Sequence, residues 1–125
     1  MEIGQNFSMG SVLVVDDEID ICTLVTRQLK SNGIKAEYAL SIKDALLKTE
    51  FNPFDLYIID LNLTDGSGFT LVQKLKQAQP DSRIIIISAY DNESKRAIKS
   101  GADLFVAKPL SKKTINDALH AINFV

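Results

Sequence analysis

Short apolar runs alternate with longer amphipathic stretches along this chain. Residues 12–15 and 84–87 are continuously apolar, a pattern typical of strands that are covered on both faces in a parallel sheet. The other strand candidates are equally short and lie between the amphipathic stretches. We therefore predict five strands, at residues 11–15, 35–39, 56–61, 83–88 and 104–107.

Five helices are predicted between and after the strands, where apolar residues recur at helical spacing. Ser41, Asn92 and Ser111 can each cap a helix N-terminus, here those of the second, fourth and fifth helices. Gly33 and Gly101 should end the first and fourth helices, because glycine readily adopts the left-handed conformation found there. The apolar faces comprise residues 21, 22, 25 and 29, then 42, 45 and 46, then 69, 72 and 75, then 97 and 98, and finally 115, 118, 119 and 122.

The order of these elements indicates the fold class. Five β–α units occupy residues 11–125, and right-handed crossovers between parallel strands give an open, doubly wound α/β sandwich. A TIM barrel would need eight such units. Residues 1–10 show no periodicity and are expected to form a flexible N-terminal arm, which leaves a single domain at 11–125.

Composition restricts the classes of protein further. The chain has 125 residues, of which 46% are hydrophobic and 24% charged, as expected of one globular domain. A net charge of -2 provides no general attraction for nucleic acid or an anionic membrane. Cys22 is the only cysteine, which excludes an intramolecular disulfide and favours a reducing compartment. Because the sequence has neither a signal-peptide core nor a run of roughly 20 apolar residues, we expect a cytoplasmic protein.

Polar side chains stand where four of the predicted strands end. Asp16 and Asp17 follow the first strand, and Asp60, Ser88 and Lys108 come at the ends of the third, fourth and fifth. Ligands of open parallel sheets bind at this edge. Clustered carboxylates repel one another unless a cation offsets their charge, and Mg²⁺ is a hard cation that prefers oxygen ligands. The set therefore predicts a magnesium site suited to phosphoryl transfer, in which an aspartate can be the nucleophile.

Four motifs at these strand ends resemble those of one family. They are VVDD at residues 14–17, IIDL at 58–61, SA at 88–89 and FVAKP at 105–109. Together they resemble the CheY-like receiver domains of two-component response regulators, and the resemblance extends over residues 11–125. It implies a flavodoxin-like (βα)5 three-layer sandwich whose five-stranded parallel sheet has the strand order 2-1-3-4-5.

The resemblance implies a role for each acidic residue of the set. Asp60 would be the phosphoacceptor and, with Asp17, would bind Mg²⁺ directly. The main-chain carbonyl of Asn62 would be a third ligand, whereas Asp16 would act mainly through a coordinated water. The domain would assist its own phosphorylation and dephosphorylation without being an enzyme.

The resemblance also implies a switch and partners. Ser88 and Lys108 would hold the phosphoryl group, Phe105 would turn inward as the switch aromatic, and the Lys108–Pro109 bond would be cis. A sensor histidine kinase or histidine phosphotransfer protein would donate the phosphoryl group. The fourth helix, fifth strand and fifth helix would present the output face to a downstream protein, a fused output domain or a second copy in a homodimer, with no direct contact to nucleic acid or membrane.

Three residues depart from the commoner family pattern. Thr64 stands where many relatives have proline, which makes the loop after Asp60 less rigid. Phe105 replaces the commoner tyrosine and offers no hydroxyl to a partner. Tyr90, two residues after Ser88, is expected to shield an acyl phosphate from water.

Other interpretations of these residues exist. An acidic pair after a strand also neutralises the N-terminus of the following helix, and Ser88 or Lys108 taken alone fits an ordinary strand end. A phosphatase of the haloacid dehalogenase type would need Asp-x-Asp at the first strand and usually a cap domain. A flavodoxin-like mononucleotide binder should have a Ser/Thr/Gly-rich phosphate loop, where this chain has Asp16, Asp17 and Glu18.

Overall fold

The computed structural model describes residues 10–125, so the arm predicted at 1–10 lies outside the described residues except for Gly10. Seven strands and five α-helices are assigned there, in the order β1 (Ser11–Val15), α1 (Ile19–Ser31), β2 (Lys35–Ala39), α2 (Ile42–Phe51), β3 (Leu56–Asp60), β4 (Asn62–Leu63), β5 (Gly66–Ser67), α3 (Gly68–Ala78), β6 (Arg83–Ser88), α4 (Ser94–Lys99), β7 (Leu104–Ala107) and α5 (Lys112–Ala121).

The main sheet has five parallel strands in the order β2-β1-β3-β6-β7. Since β4 and β5 form a separate two-stranded hairpin, β6 and β7 are the fourth and fifth strands of this sheet, and the predicted order 2-1-3-4-5 is confirmed. β1 and β3 are therefore neighbours in the middle of the sheet. Their adjacent ends bring the residues that follow β1 next to Asp60.

Two hydrophobic cores, one on each face of the sheet, hold the helices in place. Alternate residues of each central strand point into opposite cores, as the side-chain period of a strand requires. Leu13 and Val15 face a core shared with α2, α3 and α4, whereas Val12 and Val14 face the core under α1 and α5. The fold is the predicted three-layer sandwich.

The helix signals were mostly correct. Ser41 accepts a hydrogen bond from the Asp44 amide, and Ser111 caps α5 in a capping box with Thr114. The prediction that Asn92 caps the fourth helix was wrong. Asn92 lies inside a 3-10 turn at Asp91–Glu93, and α4 begins only after it, without a side-chain cap.

Two features near the third strand also differ from the prediction. β3 ends at Asp60, one residue before the predicted end at 61. The small hairpin of β4 and β5 was not predicted, because two-residue strands carry no periodicity. Among residues 10–125, no helix combines the length and the hydrophobicity needed to cross a membrane.

Candidate functional site

The carboxyl edge of the sheet gathers the polar residues that the sequence singled out. Asp16, Asp60 and Ser88 are buried, with at most 4% of each residue exposed. The side chain of Lys108 is 14% exposed. Burial of charged side chains is costly unless they are paired, so this edge is a site of concentrated charge and not a solvated surface.

Asp16 divides its two carboxylate oxygens between two tasks. Its Oδ1 accepts a hydrogen bond of 2.9 Å from the Glu18 amide at the start of α1, which is the helix-terminus role considered from the sequence. Its Oδ2 is buried and, among residues 10–125, accepts no hydrogen bond of good geometry. The same atom lies 3.1 Å from Lys108 Nζ. Helix capping therefore explains the position of Oδ1 but not that of Oδ2.

Lys108 is the positive centre of the site. Its Nζ lies 3.1 Å from Asp16 Oδ2, 3.2 Å from Glu18 Oε1 and 3.5 Å from Asp60 Oδ2. Its amide donates to the Ser88 carbonyl at 2.8 Å, which fixes β7 beside β6 at this point. One ammonium thus holds three carboxylates that come from two separate segments.

Glu18 is a member of this site that the sequence analysis missed. Its carboxylate oxygen and those of Asp16 and Asp17 all lie within 4.8 Å of one another, and Glu18 also pairs with Lys108. Asp60 is linked to this group because Lys108 Nζ contacts Asp60 as well as Asp16 and Glu18. The signal was present in the sequence as a third consecutive acidic residue after β1, but an exposed glutamate at a helix start is common.

The buried carboxylates have shifted pKa values. Burial, together with the negative charge of Asp16, raises the pKa of Asp60 to about 6, although Lys108 and the Asn62 amide act in the opposite direction. Burial also raises the pKa of Asp16, against a hydrogen bond from the Glu18 amide and the proximity of Lys108. Burial lowers the pKa of Lys108, but its carboxylate partners outweigh burial and raise it. An additional cation would relieve this unbalanced negative charge.

The loop after Asp60 is held by a close backbone approach at Gly68. The Gly68 amide donates to the Leu61 carbonyl at 2.9 Å, and a Cβ at position 68 would clash with the carbonyl of Asp60. Asn62, the third predicted ligand, begins β4 and is exposed. Asp65 accepts hydrogen bonds from the Ile42 amide at 2.9 Å and the Lys43 amide at 3.1 Å. The loop is therefore closed at its base by Gly68 and Leu61 and anchored at its turn by Asp65, although Thr64 stands where proline is commoner.

The predicted switch residues occupy neighbouring strands. Ser88 Oγ accepts a hydrogen bond of 3.1 Å from the Tyr90 amide. Phe105 is half-buried on β7 and packs against the core under α2, α3 and α4. Tyr90 is 62% exposed, so its ring extends into solvent in this state. The Lys108–Pro109 peptide bond is cis, as the resemblance implied.

The donor set suits a hard divalent cation. Mg²⁺ binds carboxylate and carbonyl oxygens and keeps several waters, and the edge offers a group of carboxylate oxygens beside the Lys108 ammonium. The buried Asp16 Oδ2 has no hydrogen bond of good geometry within residues 10–125 and is ion-paired with Lys108 at 3.1 Å, so it can still accept from a water coordinated to a cation. The residues present therefore fit Mg²⁺.

Comparison with known proteins gives a consistent result. A family model described as the response regulator receiver domain matches residues 12–120. The acid tolerance regulatory protein ActR of Rhizobium meliloti (strain 1021) is 32% identical over 111 residues, which cover 87% of this chain and 57% of ActR. The chain thus spans little more than half the length of that relative.

Solved structures resemble this fold over almost its whole length. The chemotaxis response regulator CheY4 of Vibrio cholerae superposes with a TM-score of 0.84 at 26% identity, covering 94% of this chain and all of CheY4. The response regulator TrrA of Thermotoga maritima, solved in complex with Mg²⁺ and BeF, has a TM-score of 0.81 at 25% identity. That alignment covers 92% of this chain and 98% of TrrA.

Proposed function

The chain belongs to the response regulator receiver domain family, and on that premise we propose that it is a phosphorylation-controlled switch of two-component signalling with Asp60 as the phosphoacceptor. The observation that carries this proposal is the carboxyl edge of the sheet, where Lys108 Nζ lies 3.5 Å from Asp60 Oδ2 and 3.1 Å from Asp16 Oδ2. Neither a dehalogenase-type phosphatase nor a flavin binder has support from the family to which the chain belongs.

Asp60 acts as the nucleophile in the proposed reaction. A carboxylate oxygen of Asp60 attacks the phosphorus of a phosphohistidine, the P–N bond breaks, and its electron pair returns to the imidazole. With acetyl phosphate as donor, a P–O bond breaks and acetate leaves. The product is an acyl phosphate, whose later hydrolysis resets the domain. We class the domain as a signalling phosphoacceptor and not as an enzyme.

Asp16, Asp17 and Asp60 are the side chains that would hold Mg²⁺, together with the Asn62 carbonyl. Glu18 lies within the same carboxylate group but pairs with Lys108. When bound, Mg²⁺ supplies charge neutralisation at the carboxylates and at the phosphoryl oxygens. Asp16 Oδ2 is buried, and the charge that it faces in the metal-free domain is that of Lys108, at 3.1 Å.

Lys108 and Ser88 orient the transferred group. Lys108 already contacts Asp60, and its ammonium can follow the negative charge from the carboxylate to a phosphoryl oxygen. Ser88 Oγ is held by the Tyr90 amide, and its hydroxyl can donate to another phosphoryl oxygen. Movement of Ser88 leaves space that Phe105, on the neighbouring strand β7, can enter.

The partners follow from this chemistry. A sensor histidine kinase or a histidine phosphotransfer protein donates the phosphoryl group, in a cytoplasmic setting. The output face comprises α4, β7 and α5, and it engages a downstream protein, a fused output domain or a second copy of the chain. α4 has only six residues, and of these only Ala97 is buried, so little packing opposes a shift of this helix.

Phos-tag electrophoresis after incubation with acetyl phosphate and Mg²⁺ tests the proposal. The wild-type chain and Asp65→Asn should each give a retarded band, because Asp65 lies outside the carboxylate group and serves to anchor α2. Asp60→Asn should give none. Equal retardation of the Asp60 variant and the wild type would exclude Asp60 as the acceptor.

A further inference from the structure

A groove between α3 and α4 lies beside the loop that follows Asp60, because Phe69 and Arg96 line both this groove and a neighbouring hollow that reaches Asn62. It is a shallow groove of about 570 Å³ that is largely open to solvent. Phe69 and Gln73 contribute from α3, and Arg96 and Lys99 from α4. Both walls belong to helices of the same core, so the groove is part of the folded domain.

Every ionisable side chain that lines this groove is a cation. These are Lys76, Arg96 and Lys99, in a protein whose net charge is -2. Neither Arg96 nor Lys99 has a carboxylate within ion-pair distance among residues 10–125. Lys76 is fixed by one hydrogen bond of 2.6 Å to the Ser82 carbonyl, which leaves two of its three donors free. The groove therefore presents uncompensated positive charge.

The Arg96 side chain is positioned by a contact with Phe69 that leaves its N–H donors available to an anion. Its guanidinium lies 4.2 Å from the centroid of the Phe69 ring, a stacking geometry in which an arginine keeps its in-plane N–H donors free. A side chain that is already ordered loses less conformational entropy when it binds. The planar edge of Arg96 suits a carboxylate, which it can bind with two parallel hydrogen bonds.

The backbone around the groove makes a small phosphate site less suitable. Phosphate sites commonly use free amides at a helix N-terminus. The first amides of α3 are already used, since Gly68 donates to the Leu61 carbonyl and Phe69 donates to Ser67 Oγ. The remaining donors are side chains spread along two helices, including the amides of Gln73 and Gln77, which can bond a peptide backbone.

We propose that the α3–α4 groove binds an acidic peptide segment of a partner protein. Carboxylates of the segment pair with Arg96 and Lys99, and its main chain contacts the glutamines of α3. This surface lies on the α3 side of α4 and is additional to the output face of α4, β7 and α5. The inference does not depend on phosphorylation of Asp60, because the groove is formed in the unphosphorylated domain.

NMR titration of the ¹⁵N-labelled, unphosphorylated domain with a hexaglutamate peptide tests this proposal. We expect saturable shifts concentrated at residues 69–77 and 96–100, and affinity that falls as salt is added. The double variant Arg96→Gln/Lys99→Gln should bind about tenfold more weakly or worse, since two charge-assisted contacts are lost. The matched control Lys35→Gln/Lys112→Gln removes the same charge from β2 and α5 and should bind like the wild type.

Other outcomes would overturn the proposal. Equal weakening in the two double variants, or shifts spread over all surface lysines, would mean general electrostatic attraction. Absence of saturable binding by a wild-type domain with a native spectrum would mean that the groove takes no acidic peptide. A parallel titration with pyrophosphate tests whether the groove binds a small anion instead. Tighter binding of pyrophosphate than of hexaglutamate would mean that the groove is a small-anion site.

Discussion

Replacement of Asp60 by asparagine should stabilise the metal-free protein at neutral pH. Burial and the nearby charge of Asp16 raise the pKa of Asp60 from 3.8 to about 6. The folded protein therefore binds this proton more tightly than the unfolded chain does. The contribution of Asp60 to the free energy of unfolding therefore falls as the pH rises from about 4 to about 6, and it stays low above that range. Asparagine has no proton to lose and avoids this penalty.

The size of the effect follows from the pKa difference. A shift of about 2 units at 1.36 kcal/mol per unit corresponds to about 3 kcal/mol at pH 7. Because the Asp60 side chain is only 5% exposed, solvent screening removes little of this value. The gain should shrink to about half at pH 5, where the wild-type carboxyl is mostly protonated in the folded state.

Urea unfolding in EDTA at pH 7 and pH 5 measures this difference directly, and Asp65→Asn provides a control of opposite sign. The amides of Ile42 and Lys43 hold the pKa of Asp65 below its usual range, so its ionised form stabilises the fold and the asparagine variant should be less stable. A metal-free Asp60→Asn protein that is less stable than the wild type, or a gain independent of pH, would refute the reasoning.

Three further predictions concern the metal, the loop and the lysine. Mg²⁺ at 100 times its dissociation constant should add about 2.7 kcal/mol to the free energy of unfolding of the wild type and so raise its thermal midpoint. Asp17→Ala should lose most of this rise in differential scanning fluorimetry, and a full rise in the variant would mean that Asp17 does not bind the metal. Gly68→Ala should lower stability by about 1–3 kcal/mol through overpacking, and an unchanged urea midpoint would contradict the close approach to Asp60. Glu18→Gln frees Lys108 from one carboxylate and should speed phosphorylation by acetyl phosphate, so a slower rate would show that Glu18 assists the reaction.

The sequence predicted the architecture because its signals were local and mutually consistent. Continuous apolar runs at 12–15 and 84–87 form central strands with both faces covered. Ser41 and Ser111 cap helices because a serine in extended conformation just before a helix can accept a hydrogen bond from a free amide of the first turn. The parallel order then brought Asp16, Asp60 and Lys108 together, since all three stand at the carboxyl edge of the same sheet, at the ends of β1, β3 and β7.

The features that the sequence did not reveal depend on tertiary contacts. Asn92 could start a helix or occupy a turn, and the choice of a 3-10 turn at Asp91–Glu93 is not marked by any capping pattern. Glu18 meets Lys108 at the carboxyl edge of the sheet, although the two residues are 90 positions apart in sequence. The need for glycine at position 68 comes from a backbone contact with Asp60. The stack of Arg96 on Phe69 joins residues 27 positions apart in sequence, which no local pattern indicates.

Chemical mapping of the phosphorylated residue tests the central claim most directly. Borohydride reduces an aspartyl phosphate to homoserine, and peptide mass spectrometry then identifies the position. After incubation with Mg²⁺ and a phosphoryl donor, we predict homoserine at position 60 and at no other aspartate. Homoserine at Asp16 or Asp17, or a phosphorylated protein with an unmodified Asp60, would contradict the account.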